Sequence, residues 1–332
     1  EGKEFEKKSE QLKFLEDLGF DVVEHYIVRA EDIKDKIKMF SEKIEKNDFA
    51  SDGLVLTFDS IAYSSSLGTT SKFPKDSIAF KWSDELAETT LLDIIWNTSR
   101  TGRINPIAVF EPVDIEGSTV NRASVHNVSV LEGLKLGKGD KIKVYKANMI
   151  IPQIAENMTC SATAKIPEVC PVCQGETEIR MLKEGKELYC INPTCSAQRI
   201  KALVHYVSRD AMNIEGLSEE TIKKFADAGI LDNYTDIYSI KDHPEIMDME
   251  GFGQKSFDNL VAAVEKSRTV PLENFINALG INQVGLSNAK LLCRNYNYSI
   301  EDIVKADQEE LKDIEGFGEV IAHSIHSYFA NK

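Results

Sequence analysis

The strongest constraint on how this chain can fold is a short glycine-centred pattern that recurs four times near its C-terminus. The copies read Ile214-Glu-Gly216-Leu-Ser218, Met249-Glu-Gly251-Phe-Gly253, Val284-Gly285-Leu-Ser287 and Ile314-Glu-Gly316-Phe-Gly318. With Gly216, Gly251, Gly285 and Gly316 as the central glycines, successive copies lie 35, 34 and 31 residues apart. A glycine turn between two amphipathic segments gathers backbone N–H groups at a helix N-terminus. Such a turn can hold one phosphate without any base-specific side chain. Taken singly, each turn is as well read as an ordinary connection between helices. Two near-copies, Glu250–Gly253 and Glu315–Gly318, favour the phosphate reading by repetition. The third copy is the weakest, with polar Gln283 where the others have an apolar residue two positions before the glycine.

Four such turns in series can track a nucleic-acid backbone, as tandem helix-hairpin-helix units do. The expected backbone contacts are Gly216, Gly251, Gly253, Gly285, Gly316 and Gly318. The net charge of −15 argues the other way until it is divided along the chain. Residues 202–332 carry 12 basic and 22 acidic side chains, whereas residues 88–160 carry 8 of each. Bulk electrostatics therefore cannot hold the repeats on DNA. Contacts there must come from oriented amides and a few placed cations such as Lys255 and Lys290. No apolar run has the length of a membrane span and no signal peptide opens the chain, so a membrane partner is not expected.

Upstream of the repeats the periodicity changes. Residues 3–46 read as a helix, a strand-like Phe20-Asp-Val-Val23 and a second helix, with Leu12, Leu15 and Leu18 on one face and Gly19 as a stop. Leu54–Phe58 and Ile78–Trp82 read as strands. Residues 88–160 read as about five short strands divided by turn signals, which suggests a small β-barrel.

Cys170-Pro-Val-Cys173 and Cys190-Ile-Asn-Pro-Thr-Cys195 form two close cysteine pairs within a segment too poor in apolar residues to build a core. Four soft ligands in two pairs suit a structural zinc, and an all-cysteine set leaves no open catalytic position. The alternatives are two disulfides or four free thiols. Arg100-Thr-Gly102-Arg103, at the start of the barrel, suits phosphate contact through Arg100 and Arg103, with a solvated turn as the alternative. Asp52-Gly53 precedes an apolar strand. Lys81, flanked by Phe80 and Trp82, is either an outward-facing lysine or one with an anionic partner.

The order of these parts resembles the bacterial NAD-dependent DNA ligases. Gln11–Gly19, Ser51-Asp-Gly53 and Ala79-Phe-Lys81 are similar to that family's adenylation region. Arg100-Thr-Gly102, Pro106-Ile-Ala108, Glu111-Pro-Val113 and Ala123–Asn127 are similar to its oligonucleotide-binding barrel. Cys170–Cys173 and Cys195-Ser-Ala-Gln198 resemble its zinc finger, and His205–Arg209 and Ala211–Leu217 the segment that follows. The resemblance implies a multidomain α+β chain. Residues 1–85 would be the C-terminal part of a nucleotidyltransferase (adenylation) domain, and 86–160 an OB-fold barrel. Residues 161–201 would be a four-cysteine zinc finger and 202–332 a helical tandem helix-hairpin-helix domain.

It further implies sealing of 5′-phosphate/3′-hydroxyl nicks in duplex DNA during replication and repair. A lysine attacks NAD+, nicotinamide mononucleotide leaves, AMP passes to the nick's 5′-phosphate, and the 3′-hydroxyl displaces AMP. Asp52 would lie near the ribose or a metal, Lys81 would hold the nucleotide phosphate, and Mg2+ or Mn2+ would assist. The resemblance implies a monomer in the bacterial cytoplasm, associated with the nucleoid.

Departures accompany the match. The family's Lys-x-Asp-Gly nucleophile motif occurs nowhere in the 332 residues. That motif and the nicotinamide-binding segment would lie upstream of Glu1, and the BRCT domain would follow Lys332. Thr57 and Ile44 stand where the family usually has lysine and arginine, and Asn148-Met149 where it has Gly-Asp. A fragment incapable of the first chemical step is therefore expected. The alternatives are a non-catalytic DNA clamp with a remnant adenylation domain, or a helix-hairpin-helix partner of a repair nuclease or junction helicase.

Overall fold

Local signals set the first elements. Helix α1 (Lys8–Asp17) ends at Leu18, and Gly19 follows with φ +86°, as expected of a stop. A 3₁₀ turn (Ala30–Asp32) leads into α2 (Ile33–Lys43). The computed structural model describes residues 3–43, 51, 53–70, 73–82, 85–183 and 185–330. Asp52 and Ile44 lie outside them. Phe20–Val23 forms no strand, because its backbone has no ladder partner among the described residues. Leu15 and Leu18 of α1 are exposed.

Contacts divide the chain into two units, the first comprising residues 1–89, 112–121 and 142–156. Its centre is an antiparallel pair, β1 (Gly53–Thr57) and β2 (Ser77–Lys81), joined through α3 (Ile61–Leu67). The N-terminus of α1 is fastened beside this pair. Lys8 N–H donates to the Asp59 carbonyl at 2.9 Å, and Ser9 donates through N–H (2.9 Å) and Oγ (3.1 Å) to the Asp59 carboxylate.

The second unit comprises residues 90–111, 122–141 and 157–332. Strands β3 (Ala87–Thr98), β4 (Arg103–Ile115), β5 (Ser118–Ser124), β6 (Lys141–Ala147) and β7 (Ile151–Asn157) run through both units, with α4 (Val128–Gly133) between β5 and β6. They are the five strands of the expected OB-fold. In β4, Ile104, Pro106, Ala108 and Phe110 are buried in strict alternation, as one inward face requires. A second hairpin, β8 (Thr177–Leu182) and β9 (Gly185–Cys190), pairs with β4 among the described residues through Arg103–Tyr189 and Ile104–Leu188.

From α5 (Ser196–Val207) onward the chain is helical. α6 (Glu219–Asp227), two 3₁₀ turns (Asp236–Asp242 and Pro244–Asp248) and α7 (Gln254–Ser267) share one core around Phe225, Ile237 and Leu260. α8 (Leu272–Ala278), α9 (Leu286–Asn295), α10 (Ile300–Lys305), α11 (Gln308–Lys312) and α12 (Glu319–Ala330) close a second around Leu292, Leu311 and Ile325. The four repeats thus pack as two pairs, each with its own apolar centre. Among the described residues, no helix is long and apolar enough to cross a membrane.

Candidate metal centre and nucleic-acid interface

The cysteines come together as their spacing requires. The sulfurs of Cys170, Cys173, Cys190 and Cys195 all lie within 4.8 Å of one another, and none is in a disulfide. Two edges of the cluster, Cys170–Cys195 at 4.0 Å and Cys173–Cys190 at 3.6 Å, bracket the ~3.8 Å edge of a tetrahedron with 2.3 Å zinc–sulfur bonds. The turn after Cys170 supplies the first pair. The end of β9 supplies Cys190, and Cys195 is the N-cap of α5, so one helix belongs to both the metal unit and the helical region.

Burial pushes every one of these thiols up. At Cys170 the amides of Cys173 and Val172 and the Thr98 hydroxyl outweigh that effect and bring it to about 6. At Cys173 the Gly175 amide and the Asn192 and Cys190 side chains likewise overcome burial and lower it. Burial prevails at Cys190, pushed up to about 12, and at Cys195, also raised. Four sulfurs this close repel one another as thiolates, and a divalent cation at their centre lets all four ionise. The donor set fits zinc.

The repeated turns share one backbone pattern, but in a different register from that expected for the third copy. Gly216, Gly251 and Gly316 have φ of +94°, +87° and +91°. The residue matching them is Gln283, at φ +61°; Gly285 has φ −86° and caps α9. The closing hydrogen bonds settle the alignment. Phe252 donates to Met249, Val284 to Ile281 and Phe317 to Ile314, at 2.9–3.0 Å. Each turn therefore carries an apolar residue two positions before the left-handed one, and the third copy loses its apparent polar exception. Left-handed φ at the third position of such a turn suits glycine and strains glutamine.

Ser218, Gly253 and Gly285 occupy the N-cap positions of α6, α7 and α9, and Gly318 directly precedes α12. Ser218 caps its own helix by accepting from Thr221 N–H at 3.1 Å. Gly253 and Gly285 offer no such acceptor, so the first amides of α7 and α9 have no side-chain cap. The first turn of α6 carries Glu219 and Glu220 and that of α12 carries Glu319, whereas α7 and α9 have no acidic residue there.

Both candidate arginines have intramolecular acceptors, which the sequence reading had not named. Arg100 Nη1 donates to the Gly280 carbonyl at 2.5 Å. Arg103 Nη2 donates to the His126 carbonyl at 3.1 Å and pairs with the buried Glu187 of β9 at 2.9 Å. In the first unit Lys81 ends β2, is exposed, and donates to Asn148 Oδ1. Asn148 and Met149 both take positive φ, at the position where a glycine-containing pair was the expected sequence.

Comparison with known proteins matches three family models. Residues 1–85 match the NAD-dependent DNA ligase adenylation domain, 88–174 the NAD-dependent DNA ligase OB-fold domain, and 274–332 a helix-hairpin-helix motif. A DNA ligase from Lachnoclostridium phytofermentans is 55% identical over 326 residues, covering 98% of this chain and 50% of that protein. One from Ruminiclostridium cellulolyticum is 52% identical over the same shares, and one from Clostridioides difficile is 37% identical over 98% and 49%.

The chain carries the adenylation and OB-fold domains of the NAD-dependent DNA ligases. It spans about half the length of the curated relatives it matches. The adenylation domain of a ligase of this class implies NAD+ as cofactor, and the OB-fold and helix-hairpin-helix matches point to DNA binding. Two features of this chain escaped the sequence reading. Gln283 could have been found from its flanks, because Ile281 and Val284 repeat the apolar spacing of Ile314 and Phe317. Lys8 left no local signal. Its ammonium reaches Thr57 Oγ1 at 2.7 Å across 49 residues of sequence.

Proposed function

We propose that this chain is the part of a ligase that holds nicked duplex DNA and carries AMP transfer through to sealing. The joined ends would be a 5′-phosphate and a 3′-hydroxyl, during replication and repair. One observation carries the reading: adenylation segment, OB-fold, four-cysteine unit and hairpin turns follow one another on a single chain, the first two matching models of NAD-dependent DNA ligase domains. The domains are taken as residues 1–85, 86–160, 161–201 and 202–332, and the protein as a monomer of the bacterial cytoplasm, at the nucleoid.

Phosphoryl transfer asks a protein mainly for positioning and charge neutralisation. Lys81 is assigned to the transferred phosphate, and Asp52 to the ribose or to Mg2+ or Mn2+. Cys170, Cys173, Cys190 and Cys195 would hold a zinc ion that fixes the β8–β9 hairpin. The turns at Gly216, Gly251, Gly253, Gly285, Gly316 and Gly318 are assigned to backbone phosphates, with Arg100 and Arg103 beside the barrel. Because Lys-x-Asp-Gly does not occur here, adduct formation from NAD+ is assigned to the whole polypeptide encoded with this chain.

The test uses that whole polypeptide. It is expected to form a covalent AMP adduct from NAD+ and to seal a pre-adenylated nick in a single turnover. Lys81→Ala should slow sealing on the order of a hundredfold, the usual loss of one charge-assisted contact in a transition state. Near-normal sealing by that variant would place the active site elsewhere. Nick binding with no adduct would make the protein a DNA clamp.

A further inference from the structure

The β1–β2 pair carries more positive charge than its own sequence supplies. Its register sets Gly53 opposite Lys81, Val55 opposite Ala79 and Thr57 opposite Ser77. Alternate residues of a strand share a face, so Lys81, Val55, Thr57 and Ser77 lie on the same side. Val55, between the two ends, is 72% exposed, so that face is open among the described residues. Thr57 is neutral. The Lys8 ammonium nevertheless stands on it at 2.7 Å and also pairs with Asp76.

The placement of Lys8 is built rather than incidental. The Asp59 carbonyl and carboxylate fix the first turn of α1 through Lys8 and Ser9, and Ile61 N–H donates to the Glu6 carbonyl at 3.0 Å. Asp76 is almost wholly buried, with the Ser77 hydroxyl on its other oxygen at 2.8 Å. Ser77 Oγ also lies 2.9 Å from Thr57 Oγ1. Asp76 therefore orients the ammonium from below. The Lys8 side chain remains 31% exposed, and among the described residues only two of its three N–H donors have partners. Thr57 and Lys81 are four residues apart along the strands, about 13 Å, so the two cations bracket the face instead of crowding one point.

We propose that Lys8 is a second phosphate-contacting cation of the nucleotide face, meeting the phosphate of a bound adenine nucleotide from the Thr57 end while Lys81 meets it from the other. The proposal rests on the ligase reading above. A neutral threonine at the end of β1 is then compensated from another element, because Thr57 accepts from the lysine that carries the charge.

The test again uses the whole polypeptide, in single-turnover AMP transfer from enzyme to nick, with melting temperature measured on every variant. Lys8→Met should slow transfer at least tenfold, towards the hundredfold typical of a lost transition-state contact. Lys8→Arg should retain most of the rate. Lys8→Met combined with Thr57→Lys should regain it, since the charge returns to the same end of the face. Asp76→Asn breaks the same ion pair but leaves the ammonium, so it should lower the melting temperature as Lys8→Met does and slow transfer far less. Equal slowing by Asp76→Asn and Lys8→Met, or no rescue by Thr57→Lys, would reduce Lys8 to a structural tie. Normal transfer by a folded Lys8→Met protein would overturn the proposal while leaving the ligase reading intact. Absence of any AMP adduct in the wild type would remove both.

Discussion

His205 is a residue whose charge state depends on the fold around it. It is half-buried, and its Nε2–H donates to the Asn277 carbonyl at 2.7 Å. Burial lowers its pKa, the Asn277 carbonyl opposes that, and the Arg100 guanidinium lowers it further. A histidine held below its unfolded value of about 6.5 contributes fully above that pH and loses stability as pH falls towards the folded value. The melting temperature should therefore be level above about pH 7 and decline below about pH 6. Arg100→Gln should move the ring's titration, followed by its NMR shift, upward towards the ordinary value. A titration unmoved by Arg100→Gln would show that burial alone sets it. Arg100 also shows how far residue type reaches. Two arginines on a glycine turn read in the sequence as phosphate contacts or as a solvated turn. Which acceptor Arg100 takes depends on Gly280, 180 residues away in sequence.

At the scale of elements, β9 and α5 meet at the cysteine cluster, and metal should decide whether the β8–β9 hairpin exists. β8 and β9 have few buried apolar side chains beyond Leu188, so apart from the Arg103–Glu187 pair and the ties of Lys186 to Ser129 and Glu132 the cluster is what fixes them. One zinc should bind per chain. Chelation, or Cys170→Ser, should unfold residues 165–195 while the barrel persists, because among the described residues β9 meets β4 at two residue pairs. Zinc analysis of protein purified without added metal, with hydrogen exchange before and after chelation, checks both parts. Well-folded protein with a zinc content near zero would end the assignment. The cysteine spacing made this unit readable, since ligand pairs close to each other in sequence need only one loop closure. The hairpin turns were readable in composition but not wholly in register. Spacing alone aligns the third copy on Gly285, whereas the hydrogen bond from Val284 to Ile281 puts Gln283 in the left-handed position.

For the whole molecule, the proposed DNA binding has to work with a net charge of −15. The uncapped helix starts at Gly253 and Gly285, with no acidic residue in their first turns, are better placed for phosphate than the starts of α6 and α12. Gly251→Val should strain its turn by about 1–2 kcal/mol and weaken binding to nicked duplex more than Gly316→Val does. Binding should fall only gently with salt, because few cations release counterions. Fluorescence anisotropy across a salt series tests this, and equal losses for the two variants would mean that all four turns contribute alike. The sequence alone determined the order of parts, the four clustered cysteines and the left-handed glycines of three of the four turns, since each is fixed by residue type and short-range spacing. Only the tertiary structure decided that Gln283 completes the third turn, that Arg100 and Arg103 have internal acceptors, and that Lys8 stands at Thr57. Those outcomes depend on hydrogen bonds formed when distant segments pack, and a packed partner leaves no trace in local pattern.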